Sequence, residues 1–293
     1  MIITKKTLKH KSSRTKLSRT KLSRTKLSRT KSSRTKSSRT KSTKNGINIL
    51  SYNISWESMS GSVKKWSLCN NNTDKTNKKH FSVCVNNMSN VFDSSITLDN
   101  TLDFITLQEA TDYSKLIKES SRLKNMKYEV HKSGLDTIVT FWNNKYKLKD
   151  KIFGEFENGR PWMATIFTNG ICLINVHMGH YKKEDEFKMM VKMFLDIKFK
   201  LKNKLKDKNT EKLRYIISGD FNYDIKEFGG SRNYFTLDNT KFYFNRKHIL
   251  TCCINRRKHN DHVIDSLETP IDIVIPKVNY MASDHKPILV KVM

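Results

Sequence analysis

The sequence predicts an α/β fold in which β-sheets are packed in layers with helices outside them. Two observations carry this. Several short runs are mostly apolar, among them WMATIF (162–167), ICLINVHM (171–178) and the first five residues of IDIVIPK (271–277). A strand that faces water on one side alternates, whereas one covered on both faces reads as a continuous apolar run. Between such runs lies a helical pattern over 184–206, where Phe187, Met190, Val191, Phe194, Ile197 and Leu201 recur at spacings of three and four.

Taken in order, the body opens near Asn45-Gly46 with the strand at 47–55, rich in β-branched residues. Residues 57–82 are dense in Asn, Lys and Ser and read as a long loop or insertion. An amphipathic helix is expected around 85–97, then strands at 102–110 (LDFITLQEA), 136–142 (DTIVTFW), 162–167 (WMATIF) and 171–178. Thr168-Asn169-Gly170 joins the last two as a hairpin turn. After the 184–206 helix come RYIISGDFNYD (214–224), IDIVIPK and HKPILVKV (285–292). Lys188, Lys192, Lys202 and Lys206 lie mostly off the apolar stripe and read as a solvated helix face.

The chain has 293 residues and a net charge of +28. Its first 44 residues hold 11 Lys and 6 Arg and no acid, +17 of that total, leaving +11 on the body. Residues 12–41 are six copies of a five-residue unit, SSRTK or LSRTK. Five is neither a helical nor a heptad period, and so few apolar side chains cannot offset the entropy of ordering the segment. Residues 1–44 are therefore expected to be a disordered basic tail before a folded body at 45–293. Such charge suits a polyanion: nucleic acid, or an anionic membrane surface. There is neither a signal-peptide pattern nor a membrane-length apolar run, so an intracellular protein, nuclear or cytoplasmic and not secreted, is expected. The five cysteines have no zinc-like spacing. Free thiols are the expectation: adjacent Cys252 and Cys253 are not expected to bridge each other, though Cys69 and Cys84 could.

The ends of the apolar runs collect Asp, Asn, Glu and His in a body otherwise rich in Lys. Asn53, Gln108-Glu109, His177, Asp220 with Asn222, Asp272, and Ser283-Asp284-His285 all sit at such ends. If these ends converge they form one basin of carboxylates and imidazoles. Oxygen donors without cysteine suit Mg2+ or Mn2+. An acid or His beside such an ion can orient and deprotonate water for attack on phosphorus.

SYNIS, LQEA, NVHM, SGDFN, PIDIVI and SDHKPI, in this order, resemble the endonuclease/exonuclease/phosphatase superfamily, over about residues 46–293. The resemblance implies a DNase I-like four-layer α/β sandwich of two packed mixed β-sheets flanked by helices. It implies a Mg2+-dependent (or Mn2+-dependent) phosphoric ester hydrolase. Glu109 matches the principal metal-binding Glu, Asn53 the Asn supporting it, and Asp284 an Asp that is often a second metal contact. Asp220 matches the Asp that aligns the attacking water, and Asn222 the Asn that steadies the transition state. His177 matches a His at the scissile phosphate and His285 the catalytic His, with Asp272 resembling the Asp that holds that imidazole. Arg160 in NGRPW reads either as a fork for a phosphate oxygen or as a surface Arg before a strand. One departure stands out. Several nucleic-acid members have an acid two residues after the first-motif Asn, where this chain has Ser55 and places Glu57 two further on, leaving the number of metals open.

The substrate expected from the charge is nucleic acid. Alternatives keep the centre but change the substrate to a phosphoinositide, sphingomyelin or a tyrosyl–nucleic-acid linkage. A third class is a non-catalytic polyanion-binding module. Deleting residues 1–44 separates these: an enzyme should keep cleavage of a short oligonucleotide while losing salt-sensitive affinity for long polyanions, whereas a binder that works through its tail should lose its one activity.

Overall fold

The computed structural model describes residues 46–55, 79–95, 101–205, 212–247, 249–253, 258–278 and 283–293. The basic repeats, Glu57 and Cys69 lie outside them. The strands are β1 (Ile47–Asn53), β2 (Phe104–Gln108), β3 (Lys127–Ser133), β4 (Asp136–Trp142), β5 (Leu148–Glu155), β6 (Pro161–Phe167) and β7 (Ile171–His177). They continue as β8 (Arg214–Asp220), β9 (Tyr234–Leu237), β10 (Thr240–Tyr243), β11 (Asp261–Asp265), β12 (Ile271–Val274) and β13 (Ile288–Val292). The helices are α1 (Lys79–Ser94), α2 (Tyr113–Glu119), α3 (Ser121–Lys124), α4 (Lys183–Leu205) and α5 (Lys226–Gly229). None among the described residues is long and apolar enough to cross a membrane.

The strands form a six-stranded sheet, β12-β13-β1-β2-β4-β3, and a seven-stranded sheet, β5-β6-β7-β8-β11-β10-β9. Both mix parallel and antiparallel neighbours: β1 with β2 and β7 with β8 are parallel, whereas β4 on β2 and β11 on β8 are antiparallel. Three apolar clusters separate four layers. Leu50, Tyr52, Ile105 and Leu107 pack with Met88 and Phe92 of α1 on one outer face. Ile174, Ile217 and Ile264 pack with Met190, Phe194, Ile197 and Leu201 of α4 on the other. Ile49, Phe104, Leu173, Ile216, Val263 and Val290 fill the space between the sheets. The expected helix at 184–206 is α4, with acids in its first turn and lysines in its last, as the helix dipole favours. The expected helix at 85–97 begins and ends earlier, as α1.

Five strands do not stand out as apolar runs in the sequence. Edge strands β3 (KYEVHKS) and β5 (LKDKIFGE) carry the lysines that guard a sheet edge. β9 and β10 are four residues each, joined at Asp238-Asn239 with both residues at positive φ, as a two-residue hairpin turn requires. The fifth, β11 (DHVID), is short and has an acid at each end.

The intersheet face changes character along each central strand. Two-residue periodicity reads Ile47-Ile49-Ser51-Asn53 on β1, Phe104-Thr106-Gln108 on β2, Leu173-Asn175-His177 on β7 and Ile216-Ser218-Asp220 on β8. The apolar end is dry core. The middle is a buried hydrogen-bonded band: Thr106 Oγ1 lies 3.1 Å from Ser51 Oγ and 2.7 Å from Ser218 Oγ, crossing between the sheets. Asn175 Nδ2 donates to the carbonyls of Leu107 and Val139, and its Oδ1 accepts from Gln108 at 2.8 Å. Parallel pairing then brings the last residues of β1, β2, β7 and β8 to one edge, and antiparallel pairing delivers the first residues of β4 and β11, Asp136 and Asp261, to the same edge.

Gly219 lies between that band and Asp220. Its φ is +148°, and a Cβ there would sit 2.0 Å from the carbonyl oxygen of Val176 on β7. That contact explains why the apolar run of β8 breaks at Ser218-Gly219. Gly219→Ala is expected to cost about 3 kcal/mol, from overpacking and backbone strain together. Denaturant unfolding measures this, and an unchanged midpoint would show that β7 and β8 separate freely.

Candidate active site

Asn53 ends β1 fully buried, and its amide reaches both sheets. Nδ2 donates to Glu109 Oε1 at 3.1 Å and to Asp220 Oδ2 at 2.9 Å, while Oδ1 accepts the Ser55 backbone N–H at 3.0 Å. Ser283 Oγ donates to the Asn53 carbonyl at 2.7 Å, tying the segment before His285 to the same point. Glu109 follows β2 at φ +52°, a left-handed turn that carries its carboxylate round to Asn53. Six non-glycine residues have positive φ among the described residues. Ser55, Glu109, Asn222 and Cys253 are at or beside this site, and the other two are the β9–β10 turn. Unfavourable backbone is thus concentrated where side chains must be aimed.

His177 ends β7, nearly fully buried. Its Nδ1 is 2.6 Å from Asp136 Oδ2, and its Nε2 is 3.5 Å from Glu109 Oε1 and 3.6 Å from Asp220 Oδ2. Arg160 Nη1 lies 2.9 Å from Nδ1 and against Nε2. Glu109, Ser133, Asp136, Asn158, Arg160 and His177 line a cleft of about 440 Å³ that opens to the surface. Asn222 donates its backbone N–H to Asp220 Oδ1 at 2.8 Å and its Nδ2 to the Met178 carbonyl at 2.7 Å.

His285 is held by Asp261. Nδ1 is 3.0 Å from Asp261 Oδ2 and 3.2 Å from Oδ1, and Nε2 is 3.7 Å from Asp220 Oδ2. Burial alone would lower the His285 pKa, but the carboxylates of Asp261 and Asp220 outweigh it and lift the value to about 10. Burial pushes Asp261 up to about 6. Burial would also raise Asp220, but His285, His177, the Asn53 amide and the Asn222 N–H together hold it below the usual carboxylate range. Near neutrality the site therefore contains an Asp220 carboxylate beside a His285 imidazolium backed by Asp261.

The structure brings Asn53, Glu109, His177, Asp220, Asn222, Arg160 and His285 to one edge. Asp272 is not with them. It is exposed on edge strand β12, opposite Lys291 of β13, and the imidazole's partner is Asp261, the residue opposite Asp220 in the β8–β11 ladder. PIDIVI resembled the expected motif, but its strand belongs to the other sheet. Asp284 is half-buried, and its charge helps raise His285. The donor atoms within 4.8 Å of one another, however, are those of Asp220, Asp261 and His285. Asp136 and Asp261 were missed because neither follows an apolar run. Each opens an antiparallel strand, and the visible signal is an acid close before β-branched residues: Asp136 directly before Thr137-Ile138-Val139, and Asp261 separated from Val263-Ile264 by His262. Cys252 and Cys253 are joined by a disulfide, contrary to the expectation of separate thiols. Positive φ at Cys253 turns the chain there, and Cys252 Sγ is 3.5 Å from His285 Nε2.

No protein-family model matches the chain. The uncharacterized protein L684 of Acanthamoeba polyphaga mimivirus is 33% identical over 257 residues, which cover 82% of this chain and 49% of that protein. The chain thus spans about half the length of this relative. Among solved structures it resembles ANGEL2, described as a 2′,3′-cyclic phosphatase, with 15% identity, a TM-score of 0.56 and 85% and 95% of the two chains covered. It also resembles the human Nocturnin catalytic domain with bound sulfate, with 13% identity, a TM-score of 0.55 and coverage of 85% and 94%. A Bacteroides thetaiotaomicron endonuclease/exonuclease/phosphatase family protein superposes with a TM-score of 0.51 at 13% identity, covering 84% and 97%. The four layers and these likenesses define a DNase I-like α/β sandwich. The fold is that of the endonuclease/exonuclease/phosphatase superfamily.

The His285–Asp261 pair has a measurable signature. Because the folded-state value lies above the ordinary imidazole value, the charge on His285 contributes stability that is fully present below about pH 6.5 and is lost as pH rises toward 10. NMR titration should show the His285 ring protonated through neutrality. In Asp261→Asn its midpoint should fall by more than about one unit. An unshifted midpoint would remove Asp261 as its partner.

Proposed function

We propose that the protein is a divalent-metal-dependent phosphodiesterase that hydrolyses phosphoester bonds in nucleic acid. The carrying observation is the Asn53 amide joining Glu109 to Asp220 beside two buried imidazoles, at the inner end of an open cleft. The donor set fits a hard cation: Glu109 offers oxygen at the cleft, Asn53 restrains it, and no cysteine thiol competes there. Glu109 would hold Mg2+ or Mn2+ with Asn53 as its support. When bound, the ion supplies Lewis-acid charge to the phosphoryl oxygens.

The chain's own groups divide the remaining work. Asp220, ionised at neutral pH, accepts a hydrogen bond from the attacking water and orients it. The Asn222 N–H fixes the Asp220 carboxylate rotamer from the other side. His285, an imidazolium, turns Nε2–H toward a non-bridging phosphoryl oxygen, and Asp261 keeps the ring charged and aligned as negative charge grows. Arg160 supplies a guanidinium at the cleft wall for a second phosphate oxygen, and His177, fixed by Asp136, contacts the phosphate from the β7 side. Asp284 remains outside these steps.

The basic body and N-terminal segment, +11 and +17, favour a polyanionic substrate such as nucleic acid over zwitterionic sphingomyelin, while a phosphoinositide or a tyrosyl–nucleic-acid linkage answers to the same charge. The test is hydrolysis of labelled DNA and RNA oligonucleotides, including RNA ending in a 2′,3′-cyclic phosphate, alongside inositol-phosphate and sphingomyelin arms, with Mg2+ or EDTA. Glu109→Ala and His285→Ala are each expected to lower cleavage about 1,000-fold or more. Activity that survives both changes, or survives EDTA, would remove the assigned centre. Turnover confined to a lipid arm would move the substrate to a membrane surface.

A further inference from the structure

A second cluster lies behind the first, and the steps above do not use it. His259 and His262 are 3% and 2% exposed, and Asp224 is half-buried. One donor atom from each of the three lies within 4.8 Å of the others. The Asp224 Oδ1 to His259 Nδ1 separation is 3.7 Å. Two donors on a tetrahedral ion with bonds of 2.0–2.1 Å are about 3.4 Å apart, so this pair is close to coordination distance already.

The backbone explains how the two imidazoles meet. In a regular strand, residues three apart face opposite ways, yet the His259 and His262 rings are 4.2 Å apart. His259 and Asn260 precede β11, where Thr251 Oγ1 accepts the backbone N–H groups of Asn260 and Asp261 at 3.1 and 3.0 Å and turns the chain. The bend folds His259 back over His262. His262 Nε2 is 3.0 Å from the carbonyls of both Tyr223 and His259. Two carbonyls at 3.0 Å, against the Ile225 N–H at 3.5 Å, favour the proton on Nε2, which leaves Nδ1 as the ring's lone pair. Asp224 Oδ1 is likewise steadied, by the Lys226 N–H at 3.1 Å. Outer hydrogen bonds that fix tautomer and carboxylate rotamer accompany metal ligands.

We propose that Asp224, His259 and His262 form a second metal site, for a borderline ion of the Zn2+ class, that clamps the start of β11 to the loop after β8. Two imidazoles and one carboxylate suit Zn2+ or Co2+ over Mg2+, so the site differs in chemistry from the oxygen-rich centre at Glu109. Its position gives it a purpose. Asp261 lies between the two His ligands in sequence, and Asp220 and Asn222 lie just before Asp224. An ion here would hold Asp261 against His285 and Asp220 without touching substrate. Asp224, His259 and His262 are on this reading positioning residues.

The experiment reads metal on the untagged full chain, not turnover. Protein stripped with chelator is supplied with Zn2+ or Co2+, gel-filtered and assayed for metal content, thermal midpoint and the visible Co2+ band, which is intense at tetrahedral nitrogen–oxygen sites and weak at octahedral oxygen sites. About one equivalent retained, with a strong band and a raised midpoint, is expected. Asp224→Asn and His259→Gln should weaken Zn2+ binding about 100-fold or more and abolish the band. Glu109→Gln should leave the band intact. Wild-type protein that retains no ion or shows no strong band overturns the proposal. So does equal retention in Asp224→Asn and His259→Gln, which would place the ion elsewhere. His262→Ala is avoided as the primary variant because its ring is core, and the wild-type measurement stands even if a variant does not fold.

Discussion

Two carboxylates, one on each sheet, share the hydrogens of a single buried amide. Asn53 belongs to β1 of the six-stranded sheet, as does the Glu109 segment after β2, whereas Asp220 belongs to β8 of the seven-stranded sheet. Two like charges gathered on one amide repel unless donors surround them. The Asn53 amide, His177 and His285 supply those donors. The whole centre therefore depends on the two sheets keeping their separation and register at this edge, and the buried band of Ser51, Thr106, Ser218, Gln108 and Asn175 holds that register.

That band also explains why catalytic-type residues can stand so near a dry core. A buried polar group is costly only when unpaired. Moving along each strand, apolar contact gives way first to mutually bonded hydroxyls and amides and only then to charge. Each step is two residues, and all the strands make it at the same height. The gradient places charged groups at the mouth of the sandwich while the apolar end between the sheets carries stability.

Electrostatics set the protonation states that chemistry needs. Burial opposes the charge on both His285 and Asp220, yet Asp261 and Asp220 hold the imidazolium while His285, His177 and the donors of Asn53 and Asn222 hold the carboxylate. Their coupling means that replacing one changes the behaviour of the other, so kinetic losses from single substitutions at these positions will not add. Basic charge outside the cleft is a separate matter. It favours encounter with a polyanion, whereas the acids face inward at the shared sheet edge.

Much of this was legible in the linear chain, because strand periodicity and strand ends are local properties. Apolar runs marked β7 and β8, β-branched enrichment marked β1, three-and-four spacing marked α4, and Asn53, Glu109, His177, Asp220 and His285 stood out as polar residues at the ends of these stretches. Pairing was not legible. Whether an acid belongs to the site depends on which sheet its strand joins and in which direction it runs. Asp272 follows the expected motif, but its edge strand carries it to the surface beside Lys291, whereas Asp136 and Asp261 stand at the first and not the last residue of their strands and arrive through antiparallel ladders. The sequence by itself determined the layers and most of the reactive side chains, since those follow from periodicity and residue chemistry. Only the tertiary structure decided which carboxylate meets which imidazole, because that contact is made between strands far apart in the chain.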